Sequence, residues 1–489
     1  MGFHSAVYIN GRLSRWFLIL QGVKQGSVLS MLLYICFLNP LLIEIINSGY
    51  GACIFNLHVG SPGYADDLAT ITLSQTFMQN IINIVYNYSI KWKFDLSNKK
   101  CATMTCGVNT PSCSFFIGDF KIKSVTSYKH VGVVMYSKGG NTEYAEERIA
   151  SSKRSFYSMV GCSTSTTSLS PMSMSKLYWT VCVAMYLYGA EVRCFSKKEI
   201  QLFSNFHKCM CRDIQCLPEN TPEDAILGSL GWRSIYCHID VVKVIFAVRI
   251  LLLDVNSIYR IVFIRRFLFI LHRGLGNGNS GPTYQIILSL LRFNLLDTVL
   301  NFIESCIIPP KTTWKRIVNQ YSTNLSFSRW RFSLALFSKL SLYRTVHTEY
   351  KPVCWWMLSK GFPHLRTSCT VMVRLLCGSH SLAVCKQSHL NRNDRKCQLC
   401  DDGVVEDLFH FIMVCPKWAL IRQSMLNNIS NNLSEDSSVS WHSLTNNMQF
   451  LILIGLEFPL PPNDITCVRK QACISISNMY KKRREFEPP

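Results

Sequence analysis

The sequence predicts an α/β segment at the start of the chain, followed by a mainly α-helical region and a small cysteine-rich knuckle. Three observations support this order. Short β-rich runs, separated by turn signals such as Asn10-Gly11, fill the first 135 of the 489 residues. Apolar residues then recur at helical spacing between residues 142 and 360. Cysteine and histidine cluster within residues 397–415.

Local patterns predict the elements of the α/β segment. Residues 4–20 alternate around the Asn-Gly turn, which indicates a hairpin. The apolar run of residues 28–46 is too long for one strand and predicts a buried helix. Residues 53–73 predict a second hairpin, with one β-rich run on either side of a Ser-Pro-Gly turn. Residues 77–94 carry apolar residues at helical spacing and predict an amphipathic helix.

The chain is strongly basic, because 51 Lys and Arg outnumber 30 Asp and Glu and give a formal net charge of +21. This surplus favours a polyanionic partner, either nucleic acid or an acidic membrane surface. The longest uncharged run, residues 25–43, approaches spanning length but contains Gln25, Ser27, Ser30, Asn39 and Pro40. No signal peptide opens the sequence, so its 22 Cys predict reduced thiols. We therefore expect a soluble intracellular protein, nuclear or cytoplasmic, with no membrane partner.

Two adjacent carboxylates, Asp66 and Asp67, stand in the otherwise apolar stretch GYADDLAT. Neighbouring carboxylates repel each other unless a cation lies beside them. Mg²⁺ prefers carboxylate oxygens together with substrate phosphates, and a pair of such ions can clamp both oxygens of a phosphoryl transfer. The simpler interpretation is a solvated turn, which a bare Asp-Asp dipeptide leaves open.

The surroundings of this pair resemble the active-site region of reverse transcriptases from non-LTR (LINE-type) retrotransposons. The tetrapeptide Tyr-Ala-Asp-Asp follows a Gly-x-x-Gln-Gly-x-x-Leu-Ser stretch that begins at Gly22. KWKFDLSNKKCATMTCG comes next and contains Lys100, and SYKHVGV is similar to the family's YLGV segment. The helical region downstream is also similar to the family, so the resemblance covers residues from about 5 to 420.

This resemblance implies a partial polymerase palm in residues 1–135 and a helical thumb and connection region in residues 136–390. It implies an RNA-directed DNA polymerase that extends a DNA primer on an RNA template, using deoxynucleoside triphosphates and Mg²⁺. Asp66 and Asp67 would be catalytic and would bind Mg²⁺. The residues near the template and nucleotide would be Gln25, Gly26, Tyr64 and Lys100. For Lys100 a solvated surface position is the alternative, and the oligomeric state stays open.

One expected feature of the family is missing from the sequence. The family takes a third metal-binding aspartate from an earlier palm segment, whereas the residues before position 21 include no Asp or Glu. We therefore expect an N-terminally truncated copy without the endonuclease, the fingers and the first palm strand. Asp66 and Asp67 would point to opposite faces if both lay on one strand, so we expect impaired catalysis. The alternatives are a non-catalytic nucleic-acid-binding remnant and a relic without a selected role.

A second candidate site combines three cysteines and a histidine in a C-x2-C-x9-H-x4-C pattern: Cys397, Cys400, His410 and Cys415. Four such ligands close a tetrahedron and indicate a structural Zn²⁺ site, with chance placement of the cysteines as the alternative. Non-LTR elements carry a similar motif, which implies a nucleic-acid-binding zinc knuckle in residues 391–420. Residues 421–489 predict a polar linker and a basic tail. By contrast, the Cys/His group in residues 207–216 predicts core packing, since helix residues two apart do not share a face.

Overall fold

The computed structural model describes residues 3–19, 22, 27–107, 113–138, 142–160, 169–276, 280–387, 389–400 and 402–486. Two compact units account for the chain, and each combines two stretches of sequence. The first unit comprises Met1–Gly140 with Leu253–Gly276, and the second comprises Asn141–Leu252 with Asn277–Pro489. The cysteine-rich knuckle and the residues that follow it therefore belong to the second unit.

The strands are short and all those described lie in the first unit: β1 Phe3–Ser5, β2 Tyr8–Ile9, β3 Arg12–Leu13, β4 Phe17–Ile19, β5 Cys53–Ile54, β6 Leu57–His58, β7 Gly63–Tyr64, β8 Asp67–Leu68, β9 Ala102–Thr103, β10 Phe116–Ile117, β11 Phe120–Lys121, β12 Lys123–Ser124, β13 Ser127–His130 and β14 Val133–Tyr136. They pair only two at a time. The β9–β12 pair is parallel, and the other pairs are antiparallel. Within the described residues, the first unit thus has small sheets rather than one continuous sheet.

Helices form most of the remaining chain: α1 Val28–Asn47, α2 Gln75–Trp92, α3 Thr142–Val160, α4 Pro171–Leu177, α5 Ala184–Tyr186, α6 Lys197–Gln215, α7 Glu223–Leu230, α8 Ile235–Leu251, α9 Ile258–Arg273, α10 Pro282–Arg292, α11 Leu296–Ser305, α12 Lys311–Leu336, α13 Ser341–Val346, α14 Cys354–Gly361, α15 Arg366–Leu376, α16 Ala383–Lys386, α17 Ala419–Asn432, α18 Glu435–His442, α19 Asn446–Leu453 and α20 Pro462–Glu485. Helices α1, α2 and α9 belong to the first unit and the others to the second. The predicted order of a strand-containing segment before a mainly helical region is confirmed.

Helix α1 is the helix that the long apolar run predicts, but the predicted burial is wrong. Leu41 and Ile45 are buried, whereas Val28 is 94% exposed. An apolar run reveals helix length but not which faces meet a partner, and α1 packs through one stripe only. By length and composition α1 could cross a membrane. Among the described helices, α10 and α11 are long and apolar enough to cross a membrane only if they are counted together as one segment, and the two helices are bent by 116° relative to each other. The expected lack of a membrane partner stays a prediction.

Helix α2 is amphipathic, as predicted, and fastens two parts of the first unit. Toward α1, the hydroxyl of Tyr88 donates a hydrogen bond of 2.6 Å to the carbonyl oxygen of Phe37. Toward the β10–β11 hairpin, the side-chain amide of Gln79 makes two hydrogen bonds to the backbone of Phe116, of 2.8 and 3.0 Å. These polar contacts fix the register of α2 against elements that are otherwise joined by small apolar clusters.

Aromatic side chains organise the core of the second unit. The rings of Tyr178 and Trp232 stack with their centroids 4.6 Å apart. Beside them, the His207 imidazole hydrogen-bonds the Tyr178 hydroxyl through Nδ1 at 2.9 Å and the Arg233 carbonyl oxygen through Nε2 at 3.0 Å. A carbonyl can only accept, so Nε2 donates; burial lowers the pKa of His207 to about 3 and keeps the ring neutral. His207 and Cys211 are buried, as predicted, whereas Cys209 and Cys216 are only half-buried.

Residues 421–489 are not the polar linker that their composition predicts. Residues 421–485 complete α17 and form α18, α19 and α20, which pack into the second unit. Met425 and Ile429 of α17 and Trp441 of α18 are fully or almost fully buried. A few apolar residues at helical spacing are enough to pack a helix against the core. The prediction of a linker was wrong because it relied on the many Asn and Ser residues between them.

A buried ion pair joins the last helix to the knuckle segment. Arg483 of α20 donates from Nε to Oε1 of Glu406 at 2.7 Å, and a second guanidinium nitrogen donates to Oε2 at 2.9 Å. The backbone N–H of Ala383 also donates to Oε2, at 2.7 Å. Both charged side chains are buried. A charge pair in this position needs these hydrogen bonds to offset its desolvation, and it requires α20 and the knuckle to stay in one register.

Arg483→Met is expected to lower the free energy of unfolding of the second unit by about 3–5 kcal/mol, because Glu406 would stay buried without its cation. Urea unfolding followed by tryptophan fluorescence measures this loss. The control is Lys351→Met, which removes exposed ion pairs with Glu349 and Glu457 and should cost less than about 1 kcal/mol. Equal losses in the two variants would contradict a structural role for the buried pair.

Candidate functional site

The two predicted catalytic aspartates lie at the tip of the β7–β8 hairpin. Tyr64 pairs with Asp67 across the hairpin, and Ala65 and Asp66 form the connecting turn. Ala65 has a φ of +52°, in the left-handed region that tight hairpin turns use. The turn therefore lies at Ala65-Asp66, and the earlier β-rich run forms its own β5–β6 hairpin rather than pairing across the Ser-Pro-Gly sequence. Because Asp66 is a turn residue, strand alternation does not force the two carboxylates apart.

Both carboxylates are exposed, and a tyrosine of α1 lies within electrostatic reach of one of them. Burial and, to a smaller extent, the negative charge of Asp66 raise the pKa of the Tyr34 phenol. A neutral phenol can donate a hydrogen bond to a carboxylate but cannot neutralise it. Sequence reasoning missed Tyr34, because no spacing pattern connects α1 to the hairpin.

Backbone hydrogen bonds between neighbouring hairpins support the aspartate tip from below. The Ala52 N–H donates to the Ile71 carbonyl at 2.8 Å, and the Ile71 N–H donates to the Gly60 carbonyl at 2.6 Å. A Cβ on Gly60 would lie 2.5 Å from the Ala52 nitrogen, so this approach requires glycine. Arg265 of α9 also donates to the Phe55 carbonyl in the β5–β6 turn, at 3.0 Å. Hydrogen bonds therefore hold the segments on both sides of the aspartate hairpin in place.

The remaining residues predicted to bind template and nucleotide are only partly brought together. Gln25 and Gly26 lie outside the described residues. Tyr64 is 64% exposed beside the aspartates. Lys100 is exposed, and its carbonyl oxygen accepts a 3.2 Å hydrogen bond from the Tyr128 hydroxyl, which joins two segments of the family resemblance. Lys100 forms no ion pair with either aspartate, all three being described residues.

The aspartate pair lacks a third metal ligand within the described part of the chain. There, no His, Cys, Asp or Glu combines with Asp66 and Asp67 into a group of three or more that could hold an ion. Glu44 is exposed on α1, where its charge acts with burial to raise the pKa of Tyr88. Asp95 is exposed after α2. Two exposed carboxylates leave most of the coordination of a divalent cation to water and substrate.

The second candidate site is compact. One ligand atom from each of the predicted residues lies within 4.8 Å of all the others: Cys397, Cys400, His410 and Cys415. Nε2 of His410 is 3.4 Å from Sγ of Cys400. Nδ1 of His410 is buried and has no hydrogen-bond partner among the described residues. Three sulfurs and one imidazole converging on one point form the donor set of a closed tetrahedral site and fit Zn²⁺.

Local backbone structure brings the four ligands together. Lys396 and Val405 form an isolated antiparallel β-bridge, and the Cys397 N–H donates to the Val404 carbonyl at 2.9 Å. The first two cysteines therefore lie on a tight hairpin loop. The carboxylate of Asp407 accepts a 2.9 Å hydrogen bond from the His410 N–H and starts the following helical turn. Sequence spacing predicted the ligands, but it gave no sign of Asp407 as the residue that orients the histidine segment.

Burial raises the pKa of the Cys397 and Cys415 thiols. Without a cation, the desolvated sulfurs therefore keep their protons, and repulsion between thiolates would oppose ionisation. A bound divalent cation reverses this preference, since a coordinated thiol is deprotonated. Metal binding at the cluster should thus release protons and weaken at acidic pH.

The amino-terminal segment of the chain matches a protein-family model. Residues 2–135 match the family model described as reverse transcriptase (RNA-dependent DNA polymerase). The matched segment includes the aspartate hairpin and Lys100, and it ends before the helical region and the Cys/His cluster. No curated protein matches the chain. The comparison therefore supports a reverse transcriptase domain in the amino-terminal segment.

Chelation of zinc is expected to accelerate amide hydrogen exchange in residues 397–415, because the hairpin and the histidine segment would lose their common ligand. Mass-spectrometric exchange with and without a chelator measures it. Cys415→Ser should show the fast pattern even with zinc present. Cys209→Ser, which alters a cysteine of α6 outside the cluster, should behave like the unchanged chain. An exchange pattern in this segment that chelation leaves unaltered would rule out a metal there.

Proposed function

We propose that the chain is an RNA-directed DNA polymerase of the non-LTR retrotransposon type, with weak catalysis on its own. The observation that carries the proposal is the Tyr-Ala-Asp-Asp hairpin tip inside the reverse transcriptase match of residues 2–135. The order of the motifs supports the non-LTR assignment. The Gln-Gly stretch comes first, then the hairpin, then Lys100, and then the SYKHVGV segment of the β13–β14 hairpin.

In this proposal the hairpin tip is where a DNA primer is extended on an RNA template. Mg²⁺ bound there would activate the 3′-oxygen of the primer and neutralise the triphosphate of the incoming nucleotide. Asp66 and Asp67 supply carboxylate ligands, and the exposed ring of Tyr64 lies beside them for contact with a base or sugar. Lys100 offers an exposed ammonium for phosphate. The helices of the second unit take the role of the thumb and connection region.

Weak catalysis follows from the number of carboxylates. A metal pair that organises a triphosphate needs several anionic ligands in fixed geometry, whereas the described residues supply two exposed ones. Preorganised electrostatic groups contribute several kcal/mol to such reactions, so one missing ligand costs about 10²–10³ in rate. The same shortage favours the second candidate function, a nucleic-acid-binding protein without catalysis, which the net charge of +21 also favours.

The Cys/His cluster has a structural role in both candidates. We propose that it binds one Zn²⁺ through Cys397, Cys400, His410 and Cys415, with no position left open for a substrate. Because Phe411 and Trp418 next to it are buried in the core of the second unit, the ion would stabilise that core directly. A zinc knuckle held in this way presents its outer face to nucleic acid while its ligands stay inside.

Primer extension on an annealed RNA template with a DNA primer, Mg²⁺ and deoxynucleoside triphosphates tests the proposal. The chain is expected to bind the template–primer and to extend it barely above background, and Asp66→Ala should not change binding. Asp95→Ala, which removes another exposed carboxylate of the first unit, is the matched control.

Strong extension that is lost in Asp66→Ala and kept in Asp95→Ala would contradict weak catalysis and would mean that a further carboxylate completes the site. Binding without any extension, even with Mn²⁺ in place of Mg²⁺, would favour the non-catalytic candidate. A chain that does not bind the template–primer would contradict both functions.

A further inference from the structure

Helix α12 of the second unit is basic. It runs for 26 residues without an Asp or Glu and carries five cations: Lys311, Lys315, Arg316, Arg329 and Arg331. All five are exposed, and within the described part of the chain none of them forms an ion pair. Positive side chains left without anionic partners along one helix attract a polyanion.

The inner face of α12 is fixed by specific contacts. The indole N–H of Trp314 donates to the Val244 carbonyl of α8 at 3.1 Å. Further along, the guanidinium of Arg233 donates to the side-chain oxygen of Asn319 at 3.1 Å and also to the hydroxyl of Ser322. These anchors determine which side of the helix faces outward. The outer side is therefore a fixed surface.

An open groove of about 550 Å³ runs between α11 and α12. It is lined by Leu295, Thr298, Ile317, Gln320, Tyr321 and Asn324. The four residues of α12 follow the spacing i, i+3, i+4 and i+7, so they form one stripe. Continuing the same spacing leads to Arg331, and Arg316 is one turn before Gln320. The two arginines thus flank the groove about 22 Å apart along the helix axis.

The chemistry of this lining differs from that of an apolar docking groove. Tyr321 is 45% exposed and offers an aromatic face, and Gln320 and Asn324 are exposed amides that can both donate and accept. Such amides match the edges of nucleobases, with adenine as the best partner, and aromatic faces stack on unpaired bases. A groove of this volume takes individual bases rather than a whole duplex. Helix α11, which forms the other wall of the groove, carries two acidic residues, Asp297 and Glu304.

We propose that the α11–α12 groove binds single-stranded nucleic acid. Tyr321 stacks on a base, Gln320 and Asn324 bond its edge, and Arg316 and Arg331 contact the phosphates on either side. The site lies within the second unit and uses none of the hairpin residues, so it goes beyond the proposed polymerase and stands if primer extension fails. The groove binds the nucleic-acid strand independently of catalysis at the hairpin.

Fluorescence anisotropy of the full chain with a labelled oligoadenylate of about 12 nucleotides tests the groove. Tyr321→Ala is expected to weaken binding about tenfold through lost stacking. Asn324→Asp keeps the side-chain shape but adds a negative charge, and it should weaken binding by a similar factor. Tyr259→Ala removes an exposed tyrosine from α9 of the first unit and should leave binding unchanged. Thermal unfolding of each variant shows whether it is folded.

The RNA and DNA forms of the oligonucleotide are compared, and the form that binds more tightly is the one that the groove prefers. Weaker binding in both groove variants, with Tyr259→Ala unchanged, supports the proposal. Unchanged binding in folded Tyr321→Ala and Asn324→Asp would overturn it. A preference for duplex over both single strands would overturn it as well, and so would no binding by the unchanged chain at low salt. The results for the two groove variants do not bear on the polymerase proposal, since the hairpin residues are intact in both.

Discussion

The convergence of three sulfurs and one imidazole at Cys397, Cys400, His410 and Cys415 is the constraint on which the last hundred residues depend. Burial raises the pKa of the Cys397 and Cys415 thiols, so these two side chains either keep their protons or share a cation. The flanking segments are tied to the core on both sides, through Phe411 and Trp418 and through the Glu406–Arg483 pair. The knuckle is therefore part of the core of the second unit.

The carboxylate hairpin shows the opposite situation. Its two acids are exposed, the described residues add no third ligand, and its supports are backbone hydrogen bonds between two-stranded sheets. One candidate centre thus has a complete donor set, and the other depends on substrate or a further ligand. This difference is the basis of the proposal that the chain binds nucleic acid but has weak polymerase activity on its own.

Local signals in the sequence predicted much of this structure. The Asn-Gly hairpin, helix α2 and the four cluster ligands follow from turn chemistry, periodicity and spacing. The sequence could not predict that α1 leaves most of its apolar surface exposed, because burial depends on partners distant in sequence. The prediction of a polar linker in residues 421–489 was also wrong, because a narrow apolar stripe is enough to pack helices of polar composition against the core. Tyr34 near Asp66 and Arg483 at Glu406 are contacts between distant segments that no spacing rule finds.

Zinc-edge X-ray absorption on the purified chain tests the central claim most directly, because it reports the ligands around the ion. A closed site predicts three sulfurs at about 2.3 Å and one nitrogen at about 2.0–2.1 Å, with one ion per chain. Cys415→Ser should lose one sulfur from this shell or lose the ion. A shell dominated by oxygen and nitrogen, or a chain that holds no zinc when purified with the metal present, would contradict the claim that this cluster organises the second unit.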